Sequence, residues 1–315
     1  MNVKNIKPGK LILAGKRIGV FGKGGSGKST AVVLLAKGLK GRGYEVCVLD
    51  ADSTNIGLSL ALGIEESPEP LINYYGGMIF SGGRVTCPVD DPTPLEESEI
   101  SLDVLPPQYY QQNQAGITLL VAGKIGNQGP GAGCDGPISK IARDIRIIKS
   151  KETPITLIDF KAGFEDSARG VITGLDWAIV MVDTTFAAIE MAVNMRDLIC
   201  QIKKGVLPAT QHLETPDLVE MANRLFIESR IKGVLFLLNK VRNSDMENYM
   251  RTKLAERGIE PDGIIHEVPT ISISWLKGIA LDARKAQTDI LRFTRKLEDA
   301  ERQYTHELDL KFIKG

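Results

Sequence analysis

The run Gly22-Lys23-Gly24-Gly25-Ser26-Gly27-Lys28-Ser29 constrains this chain more than any other segment. It satisfies G-x-x-x-x-G-K-[ST]. It lies between a short apolar stretch, Arg17 to Phe21, and a stretch from Ser29 to Lys40 with apolar Val32, Val33, Leu35, Ala36 and Leu39 at helical spacing. Strand, glycine loop and helix in that order form the setting in which this motif cradles phosphate. The glycines let backbone N–H groups turn inward around phosphate oxygens. The start of the helix adds the positive end of its dipole. Lys28 is expected to reach the β- and γ-phosphates and Ser29 to ligate Mg²⁺. Gly22, Gly24, Gly25, Ser26, Gly27 and Thr30 complete the expected nucleotide cradle.

Gly41 to Gly43 breaks the helical pattern, and Glu45 to Leu49 reads as a second buried strand. Further strand candidates are Leu102–Leu105, Gly116–Val121, Ile155–Ile158, Trp177–Val182, Val234–Leu238 and Ile264–Val268, with helical segments between most of them. Alternation of this kind gives an α/β fold, a mostly parallel sheet covered by helices on both faces. Ligands in such sheets bind beyond the carboxyl ends of the strands. Residues 1–16 read as an N-terminal extension, 17–281 as the phosphate-loop domain and 282–315 as a strongly charged helical C-terminal segment. Within the domain, 200–232 is an expected insertion carrying a helix at Asp217 to Ser229. Pro68 to Pro94, rich in Gly and Pro, reads as a long loop or hairpin, and Ile138 to Ile148 as helical.

With 315 residues, 43% hydrophobic and 25% charged, the chain can bury the core of one large domain. Lys and Arg number 39 and Asp and Glu 39, so the zero net charge predicts no general attraction to nucleic acid or to an acidic membrane. Met1 to Lys16 has no long apolar run, and no stretch is apolar for the length of a bilayer. A cytoplasmic location is the resulting expectation, in which free thiols bind metal or do redox work rather than form structural disulfides. Of the four cysteines, Cys47 and Cys200 sit in apolar stretches and read as core residues; Cys87 and Cys134 do not.

Lys23 adds specificity. A second lysine early in the loop, as in Lys23-Gly24-Gly25-x-x-Gly27-Lys28, is the deviant Walker A form, and here the chain resembles the MinD/ParA/nitrogenase iron protein superfamily. The resemblance implies an ATPase that works as an ATP-dependent homodimer. In it Lys23 would reach the partner subunit's nucleotide and act as an arginine finger does. Val48-Leu49-Asp50-Ala51-Asp52 matches the superfamily's D-x-D, which implies that Asp52 orients the attacking water and Asp50 supports Mg²⁺. From the residues alone, two acids capping a turn remain an alternative. Thr156-Leu157-Ile158-Asp159 with Ala162-Gly163 resembles Walker B, so Asp159 would accept from a magnesium-bound water and Gly163 would sense the γ-phosphate. Asn239 beside Lys240 stands where the family reads adenine, and Pro269 would pack on the ring.

Within the superfamily the chain is similar to the CooC-like ATPases that help nickel into carbon monoxide dehydrogenase. The similarity rests on Asp50-Ala51-Asp52, Leu119 to Lys124 leading to Gly133-Cys134, Ala162-Gly163-Phe164-Glu165 with Arg169-Gly170, and Asn239 to Asn243. It implies a client metalloenzyme and a transition metal, Ni²⁺ or Zn²⁺, held by Cys134 at the dimer interface. One departure matters: the family's C-x-C is here Cys134-Asp135-Gly136, so the second sulfur is missing. Asp135 or Cys87 are candidates to replace it, and a small buried residue at a close contact is the alternative for Cys134. Gly129 to Gly136 also resembles the first cluster segment of the nitrogenase iron protein, but Asp159 to Gly170 contains no second cysteine. A ParA- or MinD-like positioning ATPase and an iron protein-like reductase component are the other readings. The C-terminal helix carries Ile290, Leu291, Phe293 and Leu297 among many acids and bases. That pattern favours docking on the domain over binding a membrane.

Overall fold

The computed structural model describes residues 11–124, 134–150, 152–163 and 170–314, with backbone alone for 308–314. Its strands are β1 (Arg17–Gly22), β2 (Val46–Ala51), β3 (Glu99–Ser101), β4 (Gln111–Gln112), β5 (Thr118–Val121), β6 (Arg146–Ile148), β7 (Ile155–Phe160), β8 (Trp177–Val182), β9 (Gly233–Val241) and β10 (Gly263–His266). Eight of them form one sheet in the order β10-β9-β8-β1-β7-β2-β5-β4. Every neighbouring pair is parallel except β4 with β5. β1, β2, β7 and β8 are buried at all six positions each, as strands covered on both faces must be.

Each face of the sheet has its own core. On one, Ile138, Ile141 and Ala142 of the helix Asp135–Asp144 and Met191, Met195 and Ile199 of the helix Phe186–Lys203 pack on Phe21, Leu49 and Ile158. On the other, the helix Lys28–Gly41 packs with Val32, Leu35 and Leu39 on Val20, Val48 and Leu157. The C-terminal helix Arg284–Lys314 completes this second core with Ile290, Phe293 and Leu297, which are buried as docking requires. It lies along Lys28–Gly41, where Gln287 Nε2 donates to the Leu34 carbonyl at 3.2 Å. Arg42 Nε and the Tyr44 hydroxyl both donate to Glu298 Oε1, at 3.0 and 2.9 Å. Further along, Glu301 accepts from the Trp177 indole at 2.7 Å and from Lys232 at 2.7 and 2.9 Å. No helix among the described residues is long and apolar enough to cross a membrane.

Three local expectations are corrected. The helix expected over Ile138 to Ile148 ends at Asp144, and Arg146–Ile148 is a strand. β6 pairs in parallel with β3, and that pairing supplies backbone partners a helix would otherwise have provided. The strand expected at Leu102–Leu105 lies earlier, at Glu99–Ser101, and Leu102 begins the turn that follows. Cys200 is exposed: Met195, Ile199 and Ile202 carry the buried face of its helix, and Cys200 is rotated off it. The helix expected at Asp217 to Ser229 runs Pro216–Ile227. It is capped by the Thr215 side chain and opened by Pro216 at its first position.

Candidate nucleotide site

β1 ends at the middle of the sheet, so the phosphate loop rises where the carboxyl ends of β2, β7 and β8 converge. The loop turns on an Asn239 contact. Gly27 has φ +94°, in the left-handed region, and a Cβ there would collide with the Asn239 amide nitrogen. That nitrogen donates to the Ser26 carbonyl at 2.7 Å, and Lys240 Nζ donates to the Gly25 carbonyl at 2.6 Å. Strand β9 therefore braces the outer wall of the loop. Lys28 is buried, with its ammonium 3.5 Å from the Lys23 carbonyl, whereas the Lys23 side chain is exposed. The Thr30 hydroxyl accepts at 2.9 Å from the indole N–H of Trp275, which belongs to the helix Pro269–Lys277. Pro269 opens that helix and is itself exposed.

Parallel pairing sets Asp50 of β2 directly beside Asp159 of β7. The Ser29 hydroxyl donates to Asp159 Oδ2 at 2.6 Å, and Asn55 Nδ2 donates to both Ser29 Oγ at 2.9 Å and Asp159 Oδ2 at 3.3 Å. Asp159 Oδ1 is buried and has no hydrogen-bond partner among the described residues. Burial drives the Asp159 carboxyl up to about 6, against the pull of Ser29 and Lys28. Burial likewise drives Asp50 up to about 7, opposed chiefly by Lys124. Lys124 Nζ bonds Asp50 Oδ2 at 2.7 Å, the Asp52 carbonyl at 2.6 Å and also the Asn55 carbonyl, so one ammonium ties β2 to the loop after it. The Asp52 carboxylate accepts from the Thr54 N–H at 2.9 Å and its hydroxyl at 2.7 Å, the turn-capping geometry that its sequence position allowed.

An orphaned carboxylate oxygen beside a hydroxyl and a lysine, at the mouth of a phosphate loop, suits a hard divalent cation that keeps most of its water. The residues present therefore fit Mg²⁺ with a nucleotide phosphate.

Cys134 caps the helix Asp135–Asp144, its sulfur accepting from the Gly136 N–H at 3.3 Å. Asp135 is engaged elsewhere: Ser53 donates to one of its oxygens and Lys161 is paired with the other. A chain of contacts thus joins the loop after β2, the Cys134 helix and the end of β7. Gly163 has φ +112°. The resemblance positions Gly129 to Gly133, Phe164, Glu165 and Arg169 lie outside the described residues. Asn55, Ser53 and Lys161 carry no motif, and sequence spacing alone gave no signal for them. Lys124 stood inside a motif without a role.

Residues 20–281 match the family model of the CobQ/CobB/MinD/ParA nucleotide-binding domain. Over 207 residues, 64% of this chain and 82% of the relative, the chain is 33% identical to an ATP-binding protein of Methanocaldococcus jannaschii. Over 189 residues, 58% of this chain and 68% of the relative, it is 29% identical to the carbon monoxide dehydrogenase accessory protein CooC of Rhodospirillum rubrum. Among solved structures, the cell division ATPase MinD of Pyrococcus furiosus shares the fold with a TM-score of 0.55 at 19% identity, covering 90% of this chain and 99% of that one.

Proposed function

Because the chain belongs to the CobQ/CobB/MinD/ParA nucleotide-binding family, we propose that it is a magnesium-dependent ATPase that closes as a homodimer around ATP and assists the maturation of a metalloenzyme. The observation that carries the ATPase part is the Ser29–Asp159–Asn55 cluster, with its one unpartnered carboxylate oxygen at the phosphate loop. The similarity to CooC supports the metalloenzyme part.

Backbone N–H groups of Gly24 to Ser29 take up the phosphate oxygens, and Lys28 balances charge on the terminal phosphate. Ser29, Asp159 and Asp50 would hold Mg²⁺, which would supply neutralisation of the phosphate charge. Asp52 orients the attacking water, for which its carboxylate must exchange the Thr54 contacts for the water. Lys23, already exposed, is free to cross to the second subunit. Asn239 and Pro269 flank the base.

The test is ATP turnover and dimer formation with a non-hydrolysable analogue for wild type, Lys23→Ala and Asp52→Ala. Loss of turnover in both variants, with ATP-dependent dimers lost only in Lys23→Ala, is the expected result. Turnover unchanged in either variant would overturn these roles. ATP-dependent sedimentation with liposomes or DNA would instead make the chain a positioning ATPase.

A further inference from the structure

Cys87 and Cys134, neither of them part of the nucleotide site, both approach Gly136. Cys87 lies in the loop after the turn at residues 79–82, 47 positions before Cys134 in sequence. It is buried, and its sulfur packs against Gly136 so closely that a Cβ on that residue would collide with it. The N–H of the same Gly136 is bonded to the Cys134 sulfur at 3.3 Å. Both sulfurs therefore converge on one glycine at the first turn of the helix Asp135–Asp144.

Burial is the largest influence on the Cys87 thiol and pushes it up, and the backbone N–H groups of Val89 and Asp90 act against it. Amide donors around sulfur favour the thiolate. Repulsion from Cys134 adds to the upward push. Of the cations on this side of the fold, Lys161 is committed to Asp135, and Lys140, later in the same helix, is paired with Asp91 at 3.1 Å.

We propose that Cys87 and Cys134 of one chain form a two-thiolate site for a single thiophilic d¹⁰ cation of the Zn²⁺ class. Paired thiolates select soft and borderline ions over Mg²⁺. On this reading Cys87, from a different loop, supplies the sulfur that the C-x-C pattern would have placed at Gly136. A side chain at Gly136 would instead block Cys87 from reaching the site. Two protein sulfurs leave the other positions of a tetrahedral ion open to water or to an incoming ligand, as befits an ion that is held and then released. Asp135, between the capping Cys134 and Gly136, is bonded to Ser53 of the loop after Asp52, which links the thiol site to the nucleotide loop. The proposal deepens the metalloenzyme part of the reading above and rests on it.

The experiment titrates the reduced, metal-free full chain with Cd²⁺ under anaerobic conditions and follows the ultraviolet thiolate-to-cadmium charge transfer. One ion per chain is expected, with affinity falling about tenfold or more in Cys87→Ser and in Cys134→Ser alike, and unchanged in Cys200→Ser. In the wild type, Cd²⁺ should also protect Cys87 and Cys134, but not Cys200, from alkylation mapped by mass spectrometry; this needs no variant to fold. A Cys87→Ser protein that titrates like wild type, or alkylation of Cys87 undiminished by Cd²⁺, overturns the proposal. ATP turnover measured on the same samples keeps the two readings apart: turnover without Cd²⁺ binding removes the thiol site and leaves the ATPase standing.

Discussion

Removing the Lys124 ammonium should destabilise the nucleotide-free fold by an amount that grows with pH. Lys124 bonds a carboxylate that is 3% exposed and two loop carbonyls. A carboxyl whose folded-state pKa stands above its unfolded value stabilises the fold fully below the unfolded value. That contribution drains away as pH rises to the folded pKa. For Asp50 in the wild type the drain ends at about 7. In Lys124→Met the folded pKa climbs further, because the chief influence opposing burial is gone, and the drain continues above pH 7. Below pH 7 the gap between the proteins is the loss of the charged donor to the Asp52 and Asn55 carbonyls, about 1.5 kcal/mol because the lysine is partly exposed. Above pH 7 the gap widens by about 1.4 kcal/mol per pH unit, to about 3 kcal/mol at pH 8. Urea unfolding in EDTA at pH 6, 7 and 8 measures it. A gap that stays flat or narrows over that range refutes the assignment of Lys124 as the counter-charge of a buried Asp50.

Two further outcomes are expected. Glu301→Ala strands the Trp177 indole and leaves Lys232 with Asp176 as its remaining carboxylate, and should cost about 1–3 kcal/mol in urea unfolding, whereas Glu301→Gln, which keeps an acceptor for the indole, should cost less. Gly27→Ala forces a side chain into left-handed backbone at about 1–2 kcal/mol and displaces Asn239. Binding of a fluorescent ATP analogue should weaken by more than that stability loss accounts for, and equal binding would show that the Asn239 brace is not needed for the loop.

Much of this architecture was legible in the sequence because it obeys local rules. The phosphate loop, the strand ends at Asp50 and Asp159 and the parallel alternation all follow from glycine freedom and apolar periodicity. What was not legible depends on partners far apart in the chain. Arg146–Ile148 is a strand only because Glu99–Ser101 lies beside it. Cys200 looked apolar in its neighbourhood, but helical phase turns it outward. Asn55 gains its place from a loop path that brings it to Ser29 and Asp159, which no spacing encodes. Cys87 is the same case: a loop cysteine by sequence, it is carried to Gly136 by tertiary packing.

The helix that begins at Lys28 is held from the sheet side by apolar packing and from the outside by the C-terminal helix through Gln287, Ile290 and Glu298. A helix clamped on two sides behaves mechanically as an anvil: a load at its tip cannot be absorbed by tilting it. What rests against that tip is the segment from Asp52 to Asn55, held by the Lys124 ammonium, the Ser53–Asp135 bond and the Asn55 contacts to Ser29 and Asp159. A load on the glycine loop would therefore pass into the loops that rest on it rather than into the helix behind it.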